Sequence, residues 1–135
     1  MNLAFIDDDK EILSMYDDFI EDLSEKHKLK GKFIESSKSI LNYEMMTKLV
    51  KEADAIFCDL SMPEVDGTSI LDMFIEVRQT VKRHVPFFIV TGASADMLSF
   101  DENGWGKLVK ADDIFNKPFL FHDFTKALKK HGIII

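Results

Sequence analysis

Three aspartates in a row, Asp7-Asp8-Asp9, follow the apolar run Leu3 to Ile6 with nothing between. Asp59 follows Ala55-Ile56-Phe57-Cys58, Thr91 follows Phe87-Phe88-Ile89-Val90, and Lys117 comes just after Ile114 and Phe115. Each of these polar residues closes a short apolar run. Carboxylates crowded together repel, and their pKa values rise unless a cation is present. Mg²⁺ is the natural cation, because it prefers oxygen ligands, keeps several waters and is usually held by one or two carboxylates with a phosphate. A carboxylate is also a competent nucleophile toward phosphorus. A lysine ammonium and a threonine hydroxyl suit charge developing on phosphoryl oxygens. If Asp7, Asp8, Asp59, Thr91 and Lys117 converge, the chemistry they serve is acceptance of a phosphoryl group.

Convergence requires a fold that gathers the ends of these runs. Between the runs, apolar residues recur at helical spacing, as in Ile12, Leu13, Tyr16, Phe19, Ile20 and Leu23. Further helices are expected over Ile40 to Val50, around Ile70 to Val81, and around Phe121, Phe124 and Leu128. Leu3 to Ile6, Ala55 to Cys58 and Pro86 to Val90 read as strands covered on both faces. Lys32 to Glu35, after a break at Gly31, and Ile114-Phe115 read as weaker strands. Strands alternating with helices predict an α/β fold with right-handed crossovers and a parallel sheet. The expected architecture is a flavodoxin-like, doubly wound, five-stranded (βα)5 sheet of order 2-1-3-4-5. That order puts the two weakest strands at the edges. Ligands then bind beyond the carboxyl ends of the strands, where the polar residues stand. A fourth helix is expected between Thr91 and Asp113, short or irregular around Gly104-Trp105-Gly106.

Composition narrows the function classes. The chain has 135 residues, enough for one domain, read as 1–135. Its formal net charge of -7 argues against nucleic-acid binding, which needs a basic face, while leaving divalent cations welcome. One cysteine, Cys58, cannot form an internal disulfide and suits a reducing cytoplasm. No targeting segment precedes Asp7, and no apolar run is long enough to span a bilayer. A cytoplasmic protein without a membrane partner is expected. The apolar Ile133-Ile134-Ile135 end could cover a core edge or a homodimer surface.

Four segments in order resemble the receiver domains of two-component response regulators, the CheY-like, stand-alone kind. Phe5-Ile6-Asp7-Asp8-Asp9 resembles their acidic pair. Phe57-Cys58-Asp59-Leu60-Ser61-Met62-Pro63-Glu64-Val65-Asp66-Gly67 resembles their phosphoacceptor segment. Val90-Thr91-Gly92 and Asn116-Lys117-Pro118-Phe119 are similar to their threonine and Lys-Pro-Phe motifs. The resemblance implies that Asp59 accepts phosphate and that Mg²⁺ is bound by Asp8, Asp59 and the backbone carbonyl of Ser61, with Asp7 acting through water. It implies a phosphohistidine donor on a sensor histidine kinase or histidine phosphotransfer protein, and a downstream protein target that the sequence does not name. Such a domain is not an enzyme beyond its own phosphorylation and dephosphorylation. The resemblance also implies a cis Lys117-Pro118 bond. Two departures stand out. Where many receivers carry an aromatic residue, three positions before the lysine, this chain has Ile114, followed by Phe115. The Thr91 to Lys117 stretch is also longer than usual, by about one helical turn.

Other readings of the same residues stay open. Asp9 is expected as a helix N-cap. Cys58 is expected to be inert, and His27, His84, His122 and His131 to be ordinary surface residues. A haloacid-dehalogenase-like phosphatase would use Asp7 and Asp9 as Asp-x-Asp, leave Asp59 unexplained, and need a later acidic motif for which only Asp123 is present. A non-phosphorylated receiver-fold docking module is the other alternative. In the family, the residues two beyond the phosphoacceptor and two beyond the threonine influence self-dephosphorylation. Here they are Ser61 and Ala93, and neither carries an acid or amide to orient water. Slow self-hydrolysis is expected, and Ser61→Asn and Ala93→Glu should hasten decay of the phosphorylated chain. Decay no faster than in the unsubstituted protein would refute this.

Overall fold

A computed structural model describes residues 1–35, 42–59, 67–92 and 112–134. In chain order the elements are β1 (Asn2–Ile6), α1 (Lys10–Leu23), β2 (Lys30–Ile34), α2 (Tyr43–Glu52), β3 (Ala55–Cys58), α3 (Gly67–Val81), β4 (Phe87–Thr91), β5 (Asp113–Asn116) and α4 (Phe121–Lys130). All strand pairs are parallel, in the order β2-β1-β3-β4-β5. The expected α/β sheet and its strand order are therefore present. The helix expected between β4 and β5 falls at 93–111, outside the described residues.

The uninterrupted apolar strands are explained by two core layers. Ala4, Ile6, Ile56, Cys58, Phe87 and Ile89 face α2 and α3, where Met46, Leu49, Val50, Phe74 and Val77 meet them. Leu3, Phe5, Phe57, Phe88 and Val90 face α1 and α4, packing on Leu13, Tyr16, Ile20, Phe124 and Leu128. Successive strand residues alternate between these layers. Phe5, Phe57 and Phe88 form a cross-strand row, with ring centroids 5.3 and 4.8 Å apart, and Tyr16 stacks on Phe5 at 4.3 Å. Most of the phenylalanine excess is thus core. Ile133 and Ile134 are buried in the second layer, so these two isoleucines cover a core edge, while Ile135 lies outside the described residues.

Three expectations need correction. Gly31 does not interrupt β2; it lies inside it, and the strand begins at Lys30. The Phe33 ring folds back over Gly31, where a Cβ would stand 2.6 Å from Phe33 Cζ and 2.9 Å from Ile20 Cδ1. The glycine serves close approach, not a turn. The second helix starts at Tyr43, after Asn42, whose side chain accepts from the Met45 N–H at 2.8 Å; Ile40 lies outside the described residues. His131 is no plain surface residue. Its ring meets Phe88 edge-on at 4.7 Å, and its Nε2 lies 3.4 Å from Asp113 Oδ2. Asp9 does cap α1, accepting from the Glu11 N–H at 2.9 Å.

The amino ends of the strands are tied by charged side chains that the apolar pattern does not announce. Lys82, at φ 58°, ends α3 in the left-handed conformation. Arg83 follows and donates through Nη1 to the carbonyls of Val50, Lys51 and Ala53 at 2.7, 3.0 and 2.7 Å. These close the carboxyl end of α2, where helix carbonyls lack partners. Its Nη2 reaches Asp54 at 3.0 Å, and Asp54 accepts from the Asn2 N–H at 2.6 Å. On the other side Asp112 accepts from the Phe87 N–H at 2.7 Å and from Arg78 at 3.3 Å. We expect Arg83→Ala to cost about 1–2 kcal/mol, since several partly solvated hydrogen bonds go at once. Arg83→Lys should recover little, because an ammonium lacks the planar fork. Urea unfolding checks both, and an unchanged midpoint for Arg83→Ala would refute the tie.

Candidate functional site

The strand register sets the site. Ile6 is level with Ile34 on one side and Cys58 on the other. The sheet continues one step further, because the Asp7 N–H donates to the Ile34 carbonyl at 3.1 Å and the Asp59 N–H to the Ile6 carbonyl at 2.9 Å. Two aspartates therefore leave adjacent strands at the same level, held by backbone. Asp7 is 2% and Asp59 3% exposed, while Asp8, next along, is exposed. Carboxylate oxygens of Asp7, Asp8 and Asp59 all lie within 4.8 Å of one another.

Lys117 arrives from the end of β5, the edge strand, across the end of β4. Its Nζ donates to Asp7 Oδ2 at 2.9 Å and to Asp59 Oδ2 at 3.3 Å. The Lys117-Pro118 bond is cis, as the resemblance implies. Thr91 ends β4, level with Asn116, the residue before the lysine. The structure thus brings Asp7, Asp8, Asp59 and Lys117 together and puts Thr91 at the end of the neighbouring strand. Ser61 and Ala93 lie outside the described residues.

Electrostatics follow from burial. Burial pushes the Asp7 carboxyl up, and the charge of Asp59 adds to that; hydrogen bonds from the Asp9 N–H and Lys117 pull the other way without cancelling it. For Lys117, burial pulls down, but the contacts with Asp7 and Asp59 outweigh it and hold the ammonium above its usual range. Tyr16 and Cys58 are pushed up, first by burial and then by the nearby aspartates. Cys58 is accordingly an inert thiol. Tyr16 is the neighbour that sequence reasoning missed, since its helical spacing marks it only as core. The donor set of three carboxylates is all oxygen, the chemistry of Mg²⁺ rather than of softer metals. Asp8 is the exposed member of the three.

No protein-family model matches the sequence, and no curated protein matches it. Solved structures do match. The signal receiver domain of a DNA-binding response regulator from Colwellia psychrerythraea 34H is 26% identical, covers 99% of each chain and gives a TM-score of 0.74. Chemotaxis protein CheY4 of Vibrio cholerae is 21% identical over 96% of each chain, with a TM-score of 0.69. The receiver domain of the histidine kinase CKI1 from Arabidopsis thaliana, complexed with Mg²⁺, is 15% identical over 96% of this chain and 90% of that one, with a TM-score of 0.69. In fold, this chain is similar to CheY-like response-regulator receiver domains.

The raised Asp7 carboxyl has a consequence for stability. An acid whose pKa rises on folding withdraws stability as pH climbs from its ordinary value, 3.8, through the folded one. Without divalent cations, Asp7→Asn should therefore be more stable than the unsubstituted chain at neutral pH, by about 0.5–2 kcal/mol. The gap should narrow as pH falls into the ordinary carboxylate range. Urea unfolding at several pH values measures it, and a less stable variant at neutral pH would contradict the reading.

Proposed function

We propose that this chain is a phosphorelay receiver that takes a phosphoryl group onto Asp59 from a phosphohistidine on a sensor histidine kinase or histidine phosphotransfer protein. The observation that carries the reading is the convergence of two strand-end carboxylates, Asp7 and Asp59, on one lysine from β5, with Asp8 beside them. Asp8, Asp59 and the Ser61 carbonyl would hold Mg²⁺, with Asp7 through water. When bound, the cation offsets carboxylate charge that would otherwise repel the donor.

An Asp59 oxygen attacks phosphorus, a P–O bond forms, and the P–N bond to the donor imidazole breaks. The imidazole leaves with the electron pair and takes a proton. Lys117, already within 3.3 Å of Asp59, offsets charge on the phosphoryl oxygens. The Thr91 hydroxyl donates to one of them. Phosphoryl transfer needs little more than such positioning and electrostatics. With a net charge of -7, the chain would pass its signal by protein contact or onward relay in the cytoplasm.

Two observations favour this over a haloacid-dehalogenase-like phosphatase. Asp9 is engaged as the cap of α1, and Asp123, in the first turn of α4, accepts from the N–H of the capping residue Leu120 at 3.0 Å. Acetyl phosphate with Mg²⁺ should phosphorylate Asp59, and Asp59→Asn should abolish labelling. Omitting Mg²⁺ should do the same. Mass spectrometry locates the label; finding it on Asp7 or Asp9 would favour the phosphatase.

A further inference from the structure

β2 pairs with β1 along Lys30–Ile34 and, among the described residues, has no strand on its other side. A free edge presents backbone N–H and C=O groups on which another strand can form. Lys30 and Lys32 are exposed on the α2 face of that edge. With Leu49 and Ala53 at the end of α2, they line a cavity of about 210 Å³. Glu52 also borders it, leaving the lysines in excess. On the opposite face Phe33 is 37% exposed. The edge therefore combines an open ladder, a recess for a side chain and a local positive charge on a chain of net charge -7.

We infer that the β2 edge docks an extended acidic segment of a partner protein, which adds a strand to the sheet and seats an apolar side chain in the cavity. Strand addition draws affinity from main-chain hydrogen bonds and selectivity from pockets for alternate side chains. Lys30 and Lys32 are two residues apart, about 6.6 Å along a strand. Carboxylates at alternate positions of an added strand match that spacing. A second copy of this chain is disfavoured in the central registers. Antiparallel registers centred on Gly31 or Lys32 set lysine opposite lysine, and like charges directly opposite are destabilising. On a chain of net charge -7, Lys30 and Lys32 give this edge a local positive charge that favours an acidic partner, and the ladder and the cavity distinguish it from the exposed lysines of α4. The surface lies toward the start of β2, away from Asp7 and Asp59, and does not depend on phosphoryl chemistry.

The probe is a fluorescent, acetylated peptide Glu-Val-Glu-Val-Leu-Val-Glu-Val-Glu, titrated into the whole chain and followed by anisotropy. Amide NMR shifts locate the contact. Shifts concentrated at Lys30 to Ile34 and Leu49 to Ala53 are expected. The Lys30→Glu, Lys32→Glu double variant should bind the peptide roughly tenfold or more weakly, and should gain affinity for the counterpart with lysine in place of glutamate. N-methylation of the ladder-facing amides should abolish binding, which separates strand addition from plain charge attraction. Absence of binding, indifference to the lysine reversal, tolerance of N-methylation, or self-association through β2 in sedimentation would each overturn the inference.

Discussion

A single ammonium between two buried carboxylates is the contact on which the candidate site rests. Lys117 meets Asp7 at 2.9 Å and Asp59 at 3.3 Å, although the three residues lie far apart in the chain. Neither aspartate chose its place independently, since backbone hydrogen bonds to Ile34 and Ile6 fix both at the same level. Burying two carboxylates side by side is costly, and one cation does not fully offset it, as the raised Asp7 carboxyl indicates. The all-oxygen donor set of Asp7, Asp8 and Asp59 suits a divalent cation.

The two ends of the sheet divide the work. At the carboxyl ends, strands stop in charged groups with more negative than positive charge. At the amino ends, Arg83 with Asp54 and Arg78 with Asp112 are matched pairs at 3.0 and 3.3 Å, each also holding backbone atoms. Between them lie the two phenylalanine-rich core layers. The paired base and the packed centre hold the strands whose other ends carry Asp7, Asp59 and Lys117. Sites of this kind are usually held by elements that are themselves over-determined.

Much of this was legible in the sequence because strands covered on both faces read as unbroken apolar runs. Leu3 to Ile6 and Ala55 to Cys58 fall within strands with bounds close to those expected, and Asp7, Asp8, Asp59 and Lys117 converge as their strand-end positions imply. The weak edge strands were harder. Gly31 reads as punctuation, and only the Phe33 ring lying over it explains its place inside β2. The clamps at the amino ends were invisible, since Arg83 and Asp112 make contacts set by tertiary fold rather than by local pattern. His131 escaped for the same reason: its partners Phe88 and Asp113 are distant in sequence.

The neighbours Ile114 and Phe115 show how strand geometry limits what a substitution can replace. The resemblance puts an aromatic residue at Ile114. An adjacent aromatic is present, but successive residues of a strand point to opposite faces. Ile114 packs against the layer of α2 and α3. Phe115 joins the other layer, with its ring 4.8 Å from Phe119 and 6.1 Å from Phe88. A shift of one position exchanges the faces completely. Phe115 therefore does not stand in for an aromatic residue at position 114, whose side chain lies on the opposite face of β5. Any conformational response at that face has to be carried without an aromatic ring at Ile114.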